Sequence, residues 1–206
     1  MILPTHKHFP RRNRILGQID DTEILWPMLQ PGDSKAEWMR NNYQWYYWIG
    51  WCLRIESALE IGIYKGYSAY ALLATCATPY YLGIDDGSYR IKPMGALEQL
   101  KAAFVDRSAT LRVLQRDSQE MLPSEIAVWA PGGGFDAAHV DGNHSYHGAL
   151  HDMELVRPHV RAGGTILVDD VLIDHNVMQA TEEFAFQRDL PWLVLPTNHG
   201  LAVIFV

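Results

Sequence analysis

The sequence predicts an α/β fold built on a seven-stranded, mostly parallel sheet, with helices on both faces and a C-terminal antiparallel hairpin. Three observations carry this. From residue 57 onward, short apolar runs alternate with helical stretches, and such alternation builds parallel sheets covered on both sides. The first run leads through a glycine-bearing turn into a helix, where open sheets place their ligand. The last two runs are separated only by Asn198-His199-Gly200, a spacing that makes a hairpin.

The elements follow in order. Residues 1–33 are rich in Pro, His and Arg and read as an arm. Residues 34–56 read as a helix: Ser34 is a candidate N-cap and Glu37 closes a capping box. This helix is dense in aromatic residues, from Trp38 through Tyr43, Trp45, Tyr46, Tyr47 and Trp48 to Trp51, with Gly50 weakening it. SALEIGI (57–63) reads as a buried strand and GYSAYALLATCA (66–77) as a helix. PYYLGIDD (79–86) is the second strand, MGALEQLKAAFVDRS (94–108) a helix and TLRVLQRDS (110–118) the third strand. Residues 118–130 read as a helix bent near Pro123, and APGGG as a turn. FDAAHVDG (135–142) is the fourth strand and residues 145–160 a helix. RAGG (161–164) reads as a turn, GTILVDDV (164–171) as the fifth strand and residues 176–189 as the last helix. PWLVLPT and LAVIFV close the chain. This order is that of a Rossmann-like sheet. The reading divides the chain into an arm with its aromatic helix (1–56) and a ligand-binding domain (57–206).

Composition narrows the function classes. The chain has 206 residues, 48% of them hydrophobic, with a formal net charge of −7. Duplex nucleic acid is gripped mainly through its phosphates, which calls for a basic face. The single basic cluster, Arg11, Arg12 and Arg14, is short, so no nucleic-acid partner is expected. No apolar run reaches membrane-spanning length, and residues 1–14 lack a secretory apolar core. The two cysteines, Cys52 and Cys76, have neither zinc nor CxxC spacing. A reduced cytoplasmic protein is the expectation, with the aromatic helix as a candidate homo-oligomer contact.

The first strand–helix turn reads Glu60-Ile61-Gly62-Ile63-Tyr64-Lys65-Gly66-Tyr67-Ser68. Gly62 lets the backbone turn tightly beside a ligand. Gly66 opens a helix whose N-terminal N–H groups favour an anion, and Ser68 can donate its hydroxyl there. The dinucleotide pattern G-x-G-x-x-G is absent. The second strand ends in Asp85-Asp86, about 20 residues past the loop, where an acidic residue suits ribose hydroxyls. Asp85 is the chosen residue, and Asp86 the turn cap. Asp117 and Ser118 follow the third strand, either edging an adenine ring or capping a helix. Together these point to S-adenosylmethionine, whose carboxylate suits the helix end and whose nucleoside suits Asp85. The cofactor set is Glu60, Gly62, Tyr64, Gly66, Ser68, Asp85, Asp117, Ser118 and Asp141.

LEIGIYKGYSAYAL resembles the first motif of catechol O-methyltransferase and its relatives. The block from Val140 to Val171 resembles that of the DGxHxY methyltransferases, which include macrocin-type sugar O-methyltransferases. The resemblance covers roughly residues 55–206. It implies a class I S-adenosylmethionine-dependent fold, O-methyl transfer and a magnesium ion. It also implies histidine, His144, at the position where catechol O-methyltransferase carries a lysine base. The end of the fifth strand departs from the catechol enzyme, which has Asp-Asn there. This chain has Asp169-Asp170, as the sugar enzymes do.

The residues themselves lead to the same place. Asp141 ends the fourth strand, and Asp169 and Asp170 end the fifth. Three carboxylates together repel unless a cation sits among them. Oxygen ligands select a hard ion such as Mg²⁺, which keeps room for substrate oxygens. Asp141 and His144 are therefore the catalytic candidates, with His144 able to take a proton from the acceptor hydroxyl. Tyr146 and His147 are weaker candidates, and His139 reads as a core histidine. His175, Asn198 and His199 are candidates to border the acceptor. The acceptor itself is expected to be a small molecule, a sugar diol or catechol-like compound. Two alternatives stay open: a binder of S-adenosylmethionine without transferase activity, and a metal-independent N-methyltransferase.

Overall fold

The computed structural model describes residues 42–89 and 92–206. The arm, the Ser34–Glu37 capping box, Trp38 and the Arg11–Arg14 cluster lie outside the described residues. So does the expected oligomer contact where it involves the arm.

Seven strands form one sheet: β1 (Ser57–Ile61), β2 (Tyr80–Asp85), β3 (Thr110–Gln115), β4 (Phe135–Val140), β5 (Val160–Val168), β6 (Trp192–Leu195) and β7 (Leu201–Phe205). Their order is β3-β2-β1-β4-β5-β7-β6. β1 to β5 pair in parallel, and β7 runs antiparallel between β5 and β6. The helices are α1 (Tyr43–Leu53), α2 (Tyr67–Leu73), α3 (Pro93–Ala103), α4 (Pro123–Ala127), α5 (Tyr146–Val156) and α6 (His175–Gln187).

Strand residues alternate between two cores, as the pleat requires. Ala58, Tyr81, Ala137, Leu167 and Val203 pack with α1, α2 and Leu100 of α3. Leu59, Leu82, Ala138, Ile166 and Ala202 pack on the other side with Ile126 of α4, Met153 of α5 and Phe184 of α6. The expected two-faced architecture is thus formed.

Three local expectations are revised. The RAGG segment is part of β5, not a turn. It is where the β4–β5 register shifts, and Gly163 N–H donates to Val206 O at 2.7 Å. The segment after β3 is a short 3₁₀ turn (Ser118–Glu120) followed by α4, because Pro123 takes the first turn of a new helix. Gly50 is also more than a weak point in α1. A Cβ there would lie 1.9 Å from the carbonyl oxygen of Leu72, so glycine permits α1 and α2 to touch backbone to backbone. Cys52 is exposed and Cys76 buried, and both are free thiols. Among the described residues no helix is long and apolar enough to cross a membrane.

Candidate active site

The chain crosses over between β1 and β4, on either side of which successive strands step outward in opposite directions. A cleft opens at the carboxyl ends of strands about such a switch point. Register places the relevant residues side by side. Ile61 pairs with Ile84 and Val140, and Val140 pairs with Val168. The next residues, Gly62, Asp85, Asp141 and Asp169, therefore share one edge. Backbone bonds extend the ladder there: Gly62 N–H to Ile84 O at 2.9 Å, Asp141 N–H to Ile61 O at 2.9 Å and Asp169 N–H to Val140 O at 3.1 Å.

A cavity of about 720 Å³ lies over this edge, within the usual size for a small-molecule site. Gly62, Tyr64, Asp85, Asp117 and Ser118 line it, as do Asp141, His144, Asp169 and Asp170. Gly62 has φ +80°, and a Cβ on it would lie 2.0 Å from the carbonyl oxygen of Asp141. Only glycine fits between these two strand ends. Asp85 accepts the N–H groups of Ile63 (2.9 Å) and Gly87 (2.7 Å), which leaves further lone pairs for the cavity. Asp117 caps the 3₁₀ turn through the Gln119 N–H at 2.9 Å while also lining the cavity, so capping and lining coexist.

Glu60, Gly66 and Ser68 do not line the cavity. Gly66 occupies the N-cap of α2. Ser68 donates its hydroxyl to Glu60, and so does Tyr81. Glu60 is 1% exposed and also meets Nδ1 of His139 at 2.8 Å. The other ring nitrogen of His139 lies 2.9 Å from the hydroxyl of Tyr46, on α1. Burial opposes charge on His139. The bond to Glu60 and the carboxylates of Glu60, Asp141 and Asp169 outweigh it and raise the pKa to about 9.

Two overlapping groups place one ligand atom from each residue within 4.8 Å of one another: His139, Asp141 and Asp169, and Asp141, His144 and Asp170. Both nitrogens of His139 are already hydrogen-bonded, so it offers no lone pair to an ion. The ligands that fit a cation are the carboxylates. Their condition supports this: burial, and then the charge of Asp141, raise Asp169 to a pKa of about 6 and push Asp170 upward as well. Asp170 has φ +64°, a sparsely populated conformation for a non-glycine residue that is held at functional sites. His144 bridges the acids, with Nε2 3.3 Å from Asp141 and Nδ1 3.5 Å from Asp170. Its bond to Asp141, backed by the nearby carboxylates, raises its pKa to about 9.

Of the remaining candidates, His199 lines the cavity and sets Nδ1 2.8 Å from Asp170. His175 and Asn198 do not line it. Tyr146 donates to Glu183, away from the site. Asn42, Tyr43, Ser88, Tyr89 and Arg116 also line the cavity, and of these sequence reasoning singled out neither Asn42 nor Arg116. The aromatic density of α1 was the available signal for Tyr43.

The sequence profile of the methyltransferase domain family matches residues 59–171, just over half of the chain. The chain belongs to that family. Its matched segment begins in β1 and ends just past Asp169-Asp170, so the glycine loop after β1 and the acid cluster both fall within it. Among curated protein sequences no relative matches. Among solved structures, the methyltransferase fold is similar to the O-methyltransferase TomG from Streptomyces achromogenes, involved in tomaymycin synthesis and in complex with SAM. Identity is 18%, with 90% of this chain and 87% of that one covered and a TM-score of 0.61. It is also similar to the O-methyltransferase from Bacillus cereus in complex with SAH, at 17% identity, 90% coverage of each chain and a TM-score of 0.60. The SAH-bound methyltransferase PaMTH1 from Podospora anserina matches at 21% identity, covering 79% of this chain and 76% of that one, with a TM-score of 0.56.

Proposed function

We propose that this methyltransferase transfers a methyl group from S-adenosylmethionine to a hydroxyl of a small molecule, assisted by a divalent cation such as Mg²⁺. The observation that carries this reading is that one cavity holds both parts: Gly62 and Asp85 on one side, and Asp141, Asp169, Asp170 and His144 on the other. The similar structures solved with SAM or SAH bound support the choice of cofactor. Two of them are called O-methyltransferases.

In this reading Asp85 takes the ribose hydroxyls, and Asp117 and Ser118 edge the adenine. Gly62 and Tyr64 line the cofactor side, with Asp141 touching cofactor and cation alike. Gly66 and Ser68 stand behind the loop rather than on the cofactor: Gly66 caps α2 and Ser68 bonds to Glu60. Glu60 supports the loop from beneath through its bonds to Ser68, Tyr81 and His139. Asp141, Asp169 and Asp170 hold the cation, which when bound lowers the pKa of the acceptor hydroxyl and orients it. His144 takes the proton once it is itself neutral. Methyl transfer is an in-line displacement, so alignment by the cavity walls and removal of the hydroxyl proton are the protein's main tasks. The acceptor is a small molecule with adjacent hydroxyls, and the free thiols fit a cytoplasmic setting.

The test uses the full chain, SAM and a panel of catechols, sugar diols and macrolides, with Mg²⁺ or with EDTA. Asp141→Asn and Asp169→Asn are expected to lower turnover at least about 100-fold. SAH should still bind to Asp169→Asn by calorimetry. Turnover retained in both variants with EDTA present overturns the cation assignment, and failure of the wild type to bind SAH overturns the cofactor assignment.

A further inference from the structure

Asp152 lies in the middle of α5, is 0% exposed and lines no part of the cavity. A carboxylate in such a place is costly unless its oxygens are satisfied. An apolar side chain would serve a core-facing helix position without that cost. Burial accordingly pushes the Asp152 carboxyl upward from its usual range.

Its partners explain its presence. One oxygen accepts the side-chain N–H of Gln119 at 2.7 Å, and the other accepts the backbone N–H of Asn143 at 3.2 Å. Gln119 Nε2 also lies 3.3 Å from Ser118 Oγ, within the same turn. Neighbouring residues of α5 reinforce the grip: the His151 ring lies 3.1 Å from Ser118 O, and Gly148 O is 3.5 Å from Gln119 Nε2. A Cβ on Gly142 would lie 2.8 Å from the Asp152 carboxylate, so that carboxylate packs directly under the Gly142 backbone. Ser118, Gly142 and Asn143 all line the cavity. They come from different strand ends, after β3 and after β4, and in the sheet those strands are separated by β2 and β1.

We propose that Asp152 is a positioning residue for the methyl donor: one buried carboxylate ties the Ser118–Gln119 turn to the Gly142–Asn143 loop and sets the two walls of the cofactor cleft together. The proposal rests on the reading that S-adenosylmethionine occupies this cavity. Asp152 touches neither the cofactor nor the acceptor, so its effect is on geometry. Removing the carboxylate leaves the Asn143 N–H without its acceptor and the Gln119 amide with only its longer contacts to Ser118 Oγ and Gly148 O, and both loops relax. An asparagine can restore the tie. Its oxygen accepts from Asn143, and its amide donates to a Gln119 side chain turned by 180°.

The experiment is SAH binding by calorimetry on the full chain, at a temperature where each variant is shown folded by its near-ultraviolet circular dichroism. Asp152→Ala should weaken SAH binding on the order of tenfold. Asp152→Asn should return it to within about threefold of wild type, and Gln119→Ala should weaken it without adding to Asp152→Ala. A role confined to packing would lower the melting temperature and leave the affinity of the folded protein alone. Wild-type affinity in folded Asp152→Ala overturns the proposal. Should that variant not fold, wild-type affinity in Gln119→Ala overturns it instead. Absence of SAH binding in the wild type is a separate result, which removes the cofactor reading on which the proposal rests.

Discussion

Nδ1 of His139 lies 2.8 Å from Oε1 of Glu60, and both side chains are almost fully enclosed beneath the acid cluster. Breaking one half of such a pair leaves the other buried and uncompensated. Glu60→Gln is therefore expected to cost about 3–5 kcal/mol. Urea unfolding in EDTA measures it. The pH dependence has a definite sign. The folded pKa of His139, about 9, lies above the ordinary value of 6.5. Its contribution is fully present below 6.5 and is lost as pH rises through about 9. In Glu60→Gln that alkaline loss should largely disappear, and an unchanged slope between pH 7 and 9 would contradict the pairing.

His144 sits between Asp141 and Asp170 where a cation is proposed to bind. With no ion present, the carboxylates hold its pKa near 9, so it is protonated at neutral pH. A divalent cation on the same carboxylates offsets that field and brings the pKa down. Titration of the His144 ring by NMR should show a value near 9 in EDTA and a lower one with Mg²⁺. An identical titration in both conditions would argue against a shared site.

Gly62→Ala places a methyl group against the carbonyl of Asp141 and forces a side chain into a left-handed backbone conformation. The obstacle is backbone from the neighbouring strand, so it cannot move aside as a side chain would. The variant is expected to lose more than about 2 kcal/mol of stability. In a protein of this size that is a fall of roughly 4–8 °C in Tm. SAH binding should fall with it. Wild-type melting and wild-type affinity together would show that β1 and β4 are looser at this edge than the structure has them.

Much of the candidate site was legible because a parallel sheet presents its strand ends in a fixed order. Gly62, Asp85, Asp141 and Asp169 each directly follow an apolar run, and register alone aligns them. The pairings that the sequence does not show depend on partners far away in the chain. His139 meets Tyr46 across 93 positions and Glu60 across 79. Asp152 reads as one more polar residue of a helix until its two loops close on it. The RAGG segment reads as a turn because glycines usually mark one. Here the glycines pair with the chain's last residue, Val206, and the segment stays in the sheet.

The sequence by itself determined the α/β class, the number of strands and their succession along the chain, the glycine loop after β1 and the three carboxylates at the ends of β4 and β5. These follow from local rules: hydrophobic period, turn chemistry and the connectivity of parallel strands. Only the tertiary structure decided that β7 inserts between β5 and β6, that α1 reaches His139 through Tyr46, and that Glu60 faces His139. It also decided that Asp152 ties two walls of one cavity. Those outcomes depend on which buried polar groups find partners across the sheet. Burial without a partner is costly, and which groups meet is a property of the packed chain as a whole.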